Sequence, residues 1–345
     1  MYQTTAPTRV DLAGGTFDIW PIHQVFKNPC TVNVAVSLNA KTTLQPTHNS
    51  SWSIESIDQN QKIEGHLGNF TLEGELPLLR ALIHPYLEDL PCGFNLKTEC
   101  KSPAGAGVGG SSCLAITVIK ALFEWLQIPH EEEDLVRTVR DIEAKVIHTP
   151  TGVQDYWGAV RGGANILSWP PGKEDVQTYS WPEEWNQSLV LCYSGKPRQS
   201  AFNNWELFRR VFDKNERILN TFSKMAEQAQ LCAQAIRNQN FSEVLTSSKQ
   251  EWELRKSLWP NLETAETKMI HNACMEQGAE FTRICGAGGG GVMLILSSPE
   301  NRAKVIQAAQ SVGGVVLDAA PTNLGLYSQN PSFPQVHRNQ PSIDL

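Results

Sequence analysis

The sequence predicts an α+β fold, because strand-like patterns cluster early in the chain and helical patterns dominate later. Short runs of β-type residues begin at four places in the first hundred residues: Thr8, Thr31, Ser51 and Gly93. Helical patterns cover four later segments: 112–127, 131–146, 203–237 and 241–257. Strand-like runs return near the end, from Val292 and from Gly314. This order favours α+β over a doubly wound parallel sheet.

Length and charge narrow the class of protein. A chain of 345 residues is long enough for two domains with full cores. The formal net charge is -7 and no basic run occurs, so we expect no nucleic-acid partner. The chain has no apolar stretch of transmembrane length and begins without a signal-peptide pattern, so we expect no membrane association and a cytoplasmic protein. The 8 cysteines form no CxxC pair, which argues against a disulfide framework or a zinc site.

A glycine-dense segment, PAGAGVGGSSC at 103–113, predicts a phosphate-binding loop. Glycine adopts positive φ without a Cβ penalty and lets backbone amides approach an anion. The apolar helical pattern that follows would point its positive N-terminal end at the same anion. We assign eight residues to phosphate binding: Gly105, Ala106, Gly107, Val108, Gly109, Gly110, Ser111 and Ser112.

Two better-known glycine loops fit this segment poorly. A Walker loop needs a lysine after its last glycine, but Ser111 directly follows Gly110. A Rossmann fingerprint needs an acidic residue at the end of a second strand, whereas Glu124 lies inside a helical pattern. A glycine-rich turn that serves only close packing is the remaining alternative.

A second glycine loop, ICGAGGGGVMLIL from Ile284, lies near the other end of the chain. Glycines in such numbers are entropically costly unless the loop approaches a ligand closely. The alternative is a tight turn between two strands. Two such loops in different halves predict a site between domains.

Three motifs in order resemble the GHMP kinase superfamily, which includes galactokinase, homoserine kinase and mevalonate kinase. They are APTRVDLAGGTFD from Ala6, PAGAGVGGSS from Pro103 and CGAGGGG from Cys285. Galactokinases carry Glu-His where this chain has Gly15 and Thr16, so galactose is disfavoured. This first motif, together with GVQDYWGAVRGG from Gly152, is similar to the fucokinase and heptose-phosphate kinase branch.

The resemblance implies the domain organisation. Residues 1–187 would form an N-terminal domain like the second domain of ribosomal protein S5, and residues 188–328 a ferredoxin-like C-terminal domain. Residues 329–345 would be a disordered tail. The Pro- and Trp-rich segment 168–185 is interpreted as an irregular linker between the domains.

The resemblance also assigns roles to residues, with ATP as phosphate donor and Mg²⁺ as its metal ion. Asp155 matches the catalytic aspartate, and Arg9 the basic residue beside it. Ser111 and Glu143 match the Mg²⁺ ligands. Five residues are assigned to substrate binding: Gly15, Thr16, Asp18, Gly288 and Gly289. Taken singly, Arg9 could be a surface residue, Glu143 a solvated helix residue and Asp155 a helix cap.

The expected function is ATP-dependent phosphorylation of a sugar or sugar-phosphate hydroxyl, with the anomeric hydroxyl favoured. One alternative is a GHMP kinase that acts on a non-sugar alcohol such as mevalonate. Another is a kinase-like sensor that binds a sugar and a nucleotide without turnover. The oligomeric state and the adenine pocket are left open by the sequence.

Overall fold

The structure is a computed structural model, and it describes residues 1–197, 204–259 and 262–329. The strands are β1 (Tyr2–Ala13), β2 (Cys30–Pro46), β3 (Ser51–Ser56), β4 (Gln61–His66), β5 (Phe94–Cys100), β6 (Ala164–Ser168), β7 (Asp175–Tyr179), β8 (Leu189–Tyr193), β9 (Ala279–Ile284), β10 (Val292–Ser297), β11 (Val315–Val316) and β12 (Tyr327–Ser328). The helices are α1 (Pro77–Ile83), α2 (Gly110–Trp125), α3 (Glu132–Ile147), α4 (Gln154–Arg161), α5 (Asn204–Phe212), α6 (Glu216–Arg237), α7 (Phe241–Leu258), α8 (Ala265–Glu276) and α9 (Arg302–Ser311). Across these described ranges, no helix combines the length and apolar character that crossing a membrane requires.

The larger sheet contains eight strands in the described part of the chain. Its main path is β12-β1-β2-β5-β3-β4, and β6 pairs with both β2 and β7. β3 and β5 are parallel, and the other neighbours in this sheet are antiparallel. β2 serves as the organising strand, because it pairs with β1 along one edge and with β5 and β6 at successive positions along the other.

β1 is buried along almost its whole length. Helices α2 and α4, from the first half of the chain, pack against β1. Helices α6 and α7, from the later half, also contact it. α2 can occupy this position because its sequence is apolar nearly all round, and residues from Ser112 to Trp125 are largely buried. The first strand therefore lies between elements from both halves of the chain.

A smaller sheet follows later in the chain, in the order β11-β8-β10-β9. Its strands are antiparallel, and α8 and α9 pack on it. Apolar residues of this sheet, such as Leu191 and Ile295, share one core with Val10 and Val34 of the larger sheet. The division at 187/188 stays a prediction: β8 begins just after it, while β12 returns to the larger sheet.

The α+β class is confirmed, and most predicted elements are present within a few residues of their expected ends. The single helix predicted over 203–237 is wrong in its described part, because α5 and α6 are separate. Lys214 has a φ of 58° at the break, and the Asn215 side chain caps α6. The irregular linker at 168–185 is also wrong, since β7 forms within it and pairs with β6. The predicted tail lies, from residue 330 onwards, outside the described residues.

Candidate active site

The first glycine loop has the backbone geometry that its sequence predicts. Gly105, Gly107 and Gly109 have φ values of 68°, 78° and 79°. Gly109 is the N-cap of α2, and no side chain caps the first turn of that helix. The first-turn amides of α2 and its positive end are therefore not satisfied by a capping side chain, which is the arrangement that an anion-binding helix start has.

The second glycine loop packs directly against the first. The Val292 amide donates to the Ala106 carbonyl over 2.8 Å. A β-carbon on Gly107 would lie 2.6 Å from the Cys285 carbonyl oxygen, and one on Gly286 would lie 2.7 Å from the Gly107 carbonyl oxygen. Only glycine allows these two backbones to approach so closely. The second loop thus shapes the phosphate loop from the later half of the chain.

Gly288 and Gly289 face a different neighbour. The Gly289 amide donates to the Leu262 carbonyl over 2.8 Å, and a β-carbon on Gly288 would collide with the Leu262 side chain. Both glycines are buried. Close packing explains this part of the loop, and its role in substrate binding stays a prediction.

Asp155 and Arg9 form an ion pair beside the phosphate loop. Asp155 lies in the first turn of α4, and Arg9 Nε donates to its Oδ1 over 2.6 Å. Arg9 Nη1 also donates to the Gly107 carbonyl over 3.0 Å. Burial by itself lowers the pKa of Arg9, but Asp155 and then Asp11 act against it, so the net pKa is raised and the guanidinium stays charged. The Asp155 side chain keeps 24% exposure, which leaves it accessible to a substrate.

Glu143 lies against the start of α2. Ser111 Oγ donates to its Oε1 and Ser112 Oγ to its Oε2, both over 2.8 Å. Tyr156 Oη donates to Oε2 over 2.9 Å. Burial raises the pKa of Glu143, and the three hydroxyl donors oppose that rise. Tyr156 was not predicted by sequence analysis, although it directly follows Asp155.

These oxygens fit the chemistry of Mg²⁺. The ion takes one or two carboxylates, a hydroxyl and substrate phosphates, and it keeps several waters. Within 1–197, 204–259 and 262–329 no group of three or more His, Cys, Asp or Glu residues could hold a metal by itself. Glu143 and Ser111 would by themselves be a partial set of ligands, which nucleotide phosphates and waters would complete.

Asp18 is a buried carboxyl group with one free oxygen. Its Oδ2 accepts from the Gln154 amide over 3.1 Å, whereas Oδ1 is buried without a hydrogen-bond partner among the described residues. Gly152 permits this approach, since a β-carbon there would lie 2.1 Å from Oδ2. Burial raises the pKa of Asp18 to about 7, against the lowering effect of the Gln154 amide. An unpaired buried oxygen of this kind is costly without a ligand.

Gly15 and Thr16 contact neighbouring protein groups. The Gly15 carbonyl accepts from the Gln154 side chain over 3.2 Å, and the Thr16 hydroxyl accepts from Arg255 over 2.9 Å. Thr16 is buried. These hydrogen bonds give both residues a structural role, and their direct contact with substrate stays a prediction.

A cavity of about 1150 Å³ opens over Asp18. Its wall mixes aromatic, basic and acidic side chains from the Asp18 segment, α3, α4 and the segment before β7. Among them are Trp20, His23, Arg137, Lys145, Trp157 and Trp169. Within the described chain, Arg137 and Lys145 form no ion pair. The cavity is polar enough to hold a hydroxyl-rich molecule and has cations available for an acidic one.

A buried charge network behind the site was missed by sequence analysis. Asp11 on β1 pairs with Arg283 on β9 over 2.5 Å, and its other oxygen accepts from the Gly286 amide over 2.9 Å. Glu251 on α7 pairs with Arg283 over 3.3 Å and with Arg255 over 2.8 Å. Burial raises the pKa of Asp11, but Arg283 and Arg9 lower it more, so the carboxylate stays ionised. The network ties the first strand, and thereby Arg9, to the later half of the chain.

Comparisons with known proteins agree with this geometry. Residues 77–163 match the family model for the GHMP kinases N terminal domain, a range that contains the phosphate loop, Glu143 and Asp155. The D-glycero-alpha-D-manno-heptose 7-phosphate kinase of Campylobacter jejuni is 26% identical over 341 residues, which cover 94% of this chain and 98% of that protein.

This chain is also similar to part of a longer protein and, in fold, to a solved structure. The L-fucokinase/L-fucose-1-P guanylyltransferase of Bacteroides fragilis is 25% identical over 92% of this chain, but the match spans only 36% of that larger protein. The crystal structure of a D-glycero-D-manno-heptose 1-phosphate kinase from Bacteroides thetaiotaomicron superposes with a TM-score of 0.78 at 21% identity, over 96% of this chain and 100% of that chain. This last likeness establishes the shared two-domain α+β fold.

Proposed function

We propose that this chain, which belongs to the GHMP kinase superfamily, transfers the γ-phosphate of ATP to a hydroxyl of a sugar or sugar phosphate. One observation carries the proposal: Asp155 connects the phosphate loop to Asp18 through the first turn of α4. Its carboxyl group contacts Gly109 of the loop, while the adjacent Gln154 amide binds Asp18 at the cavity wall. A nucleotide on the loop and a sugar beside Asp18 would therefore approach each other at the start of α4.

Asp155 is the group that would accept or orient the proton of the attacking hydroxyl. General-base assistance of this kind is worth about 10²–10⁴-fold in rate. Arg9 holds the carboxylate in position through the 2.6 Å hydrogen bond and presents positive charge beside the Gly107 carbonyl of the loop. That charge would stabilise the negative charge on the transferring group.

The nucleotide phosphates would lie on the amides of the phosphate loop and the first turn of α2. Glu143 and Ser111 would hold Mg²⁺, which neutralises charge on the β and γ phosphates when bound. Ser112 and Tyr156 would orient the Glu143 carboxylate from its other side.

The cavity favours a polar acceptor over an alcohol with a large apolar part. Asp18 presents an unpaired buried oxygen, which a substrate hydroxyl would satisfy. The free cations Arg137 and Lys145 support an acceptor that already carries a phosphate. We therefore rank sugar phosphates of the heptose type first and free fucose-like sugars second, with transfer to the anomeric hydroxyl.

An ATP-consumption screen tests the proposal. The panel holds D-glycero-D-manno-heptose 7-phosphate, D-mannose 6-phosphate, L-fucose, D-mannose, D-galactose and mevalonate. We expect turnover on a sugar or sugar phosphate and little on galactose. Asp155→Asn, assayed in parallel, should lose about 10²-fold or more in kcat while KM for ATP changes little, because shape is kept and the proton acceptor is lost. Turnover of mevalonate alone, or equal turnover by Asp155→Asn, would overturn the proposal.

A further inference from the structure

We propose that His23 binds the acceptor substrate, with its Nε2 accepting a hydrogen bond from a substrate hydroxyl beside Asp18. The inference rests on the proposed function and adds a specificity-determining residue to it. His23 lies outside the three glycine-containing motifs and was not singled out by sequence analysis. His23 lines the same cavity as Asp18, which lies five residues earlier in the chain.

The hydrogen bond at Nδ1 fixes the tautomer of this histidine. Nδ1 lies 2.9 Å from the Phe17 carbonyl oxygen, and a carbonyl can only accept, so Nδ1 carries the hydrogen. Burial lowers the pKa of His23, although the bond to Phe17 opposes this, and the ring is neutral at physiological pH. In a neutral imidazole protonated at Nδ1, Nε2 is a pure acceptor.

The ring is also held in orientation. It stacks on Trp169 with centroids 4.6 Å apart and an interplanar angle of 12°. His23 retains only 8% exposure, yet its Nε2 is not among the buried polar atoms that lack a partner, and no described residue bonds to it. His23 lines the cavity, and because Nδ1 is used by the Phe17 carbonyl, Nε2 is the ring nitrogen left for a ligand there.

His23 and Asp18 in its ionised form together make a pair of acceptors on one wall. Asp18 offers Oδ1, which is buried and unpaired, and its Oδ2 is already used by the Gln154 amide. A molecule that presents two hydroxyl donors to the wall would satisfy both groups. Sugars present adjacent hydroxyls in fixed geometry, so this pair predicts discrimination against acceptors that lack one of them.

Steady-state kinetics on monodeoxy analogues test the assignment. The parent acceptor is the panel member with the highest kcat/KM, and each of its monodeoxy analogues is compared with it for wild type, His23→Phe and His23→Gln. Phenylalanine keeps a ring to stack on Trp169 but has no acceptor, whereas the glutamine amide oxygen can reach the position of Nε2. KM for ATP reports whether the nucleotide site is intact.

We expect wild type to disfavour one monodeoxy analogue by about 10-fold or more in kcat/KM, because a site built to accept that hydroxyl is left unpaired. His23→Phe should lose about as much on the parent acceptor and should no longer distinguish it from that analogue. His23→Gln should recover part of the discrimination, and KM for ATP should stay within about 2-fold for both variants. A merely structural role would lower activity without changing the ratio between parent and analogue.

Unchanged discrimination against every analogue in His23→Phe would overturn this inference while leaving the proposed function intact. Failure of wild type to phosphorylate any sugar would instead remove the proposed function. Should His23→Phe fail to fold by circular dichroism, His23→Asn replaces it, since its amide can still donate to the Phe17 carbonyl but does not reach the position of Nε2.

Discussion

Gly109 lies directly against Asp155, so that a β-carbon on the glycine would be 2.8 Å from the aspartate carboxyl carbon. The phosphate loop and the candidate catalytic carboxylate are therefore in contact through a position that has no side chain. Gly109 also has a φ of 79°, which residues with a side chain rarely adopt. In the proposed function, this contact would set the separation between the nucleotide phosphates and the proton acceptor.

Gly109→Ala should displace Asp155 and lower kcat strongly, by about 10²-fold, since small misplacements of reacting groups carry costs of this size. Gly313→Ala is the matched control, because Gly313 has a φ of 91° and no atom within 4 Å of its would-be β-carbon. Both variants carry the backbone strain, but only the first crowds the site. Comparable kcat values for the two variants would show that the contact with Asp155 has no catalytic consequence.

Tyr156→Phe should raise the Mg²⁺ concentration needed for half-maximal activity by about 10-fold, because partners that orient a metal ligand typically contribute 10–100-fold. The variant removes the 2.9 Å hydrogen bond to Glu143 and keeps the buried ring. Activity as a function of free Mg²⁺ measures the effect, and saturating Mg²⁺ should restore most of kcat. Glu143→Gln should show a larger shift in the same titration. An unaltered Mg²⁺ requirement in both variants would exclude Glu143 from the metal site.

Asp18→Asn should stabilise the substrate-free protein at neutral and alkaline pH. The pKa of Asp18 is raised by burial from 3.8 to about 7, so the folded state favours the protonated form, and stability is lost as pH rises through the folded pKa. The difference in free energy of unfolding between the asparagine variant and wild type should therefore grow with pH and level off above about 7. The size of the pKa shift sets this difference at roughly 4 kcal/mol.

Urea unfolding of wild type and Asp18→Asn between pH 5 and 8.5 measures that difference. Binding of the acceptor sugar should be weakened in the variant, while KM for ATP should not change. A stability difference that is flat or decreases with pH would contradict the assignment of a buried, costly carboxylate.

Arg283→Met should destabilise the fold by about 3–5 kcal/mol, because it removes the nearest cation from buried Asp11 and leaves buried Glu251 with Arg255 alone. Arg210→Met is the control: it breaks the pair with Glu206, whose side chains are 54% and 58% exposed, and such a surface pair contributes about 0–1 kcal/mol. Chemical denaturation of the two variants compares them directly. Equal midpoints would show that the buried network contributes no more than a surface ion pair.

Local patterns predicted the parts of the site that depend on neighbours in sequence. The phosphate loop and α2 follow from glycine spacing and an apolar helical run, and Asp155, Arg9, Ser111 and Glu143 were assigned by motif resemblance. The structure brings Asp155 to Arg9 and Glu143 to Ser111. These pairings are geometric observations, whereas the catalytic and metal-binding roles stay predictions.

Features that depend on long-range pairing were not predictable in the same way. Glu251 and Arg255 are four residues apart on one helix, a spacing that ordinarily indicates an exposed ion pair. Both are buried, because Glu251 also pairs with Arg283 and Arg255 donates to the Thr16 hydroxyl. β7 was not predicted because Pro and Trp residues surround its five residues. The strand is stabilised by pairing with β6. His23 lies in no recognised motif, and its proposed role depends on contacts with the Trp169 ring and the Phe17 carbonyl.

The backbone hydrogen bond from Val292 to Ala106 has a consequence for the nascent chain. Chains are made from the N-terminus at about 5–20 residues per second, so the partner of Ala106 leaves the ribosome on the order of ten seconds after it. Until then the nascent chain carries the complete PAGAGVGGSS segment without the strand that fixes its shape. A truncated product that ends before β10 would likewise hold the motif intact, and we expect it to be unable to bind nucleotide as the finished protein does.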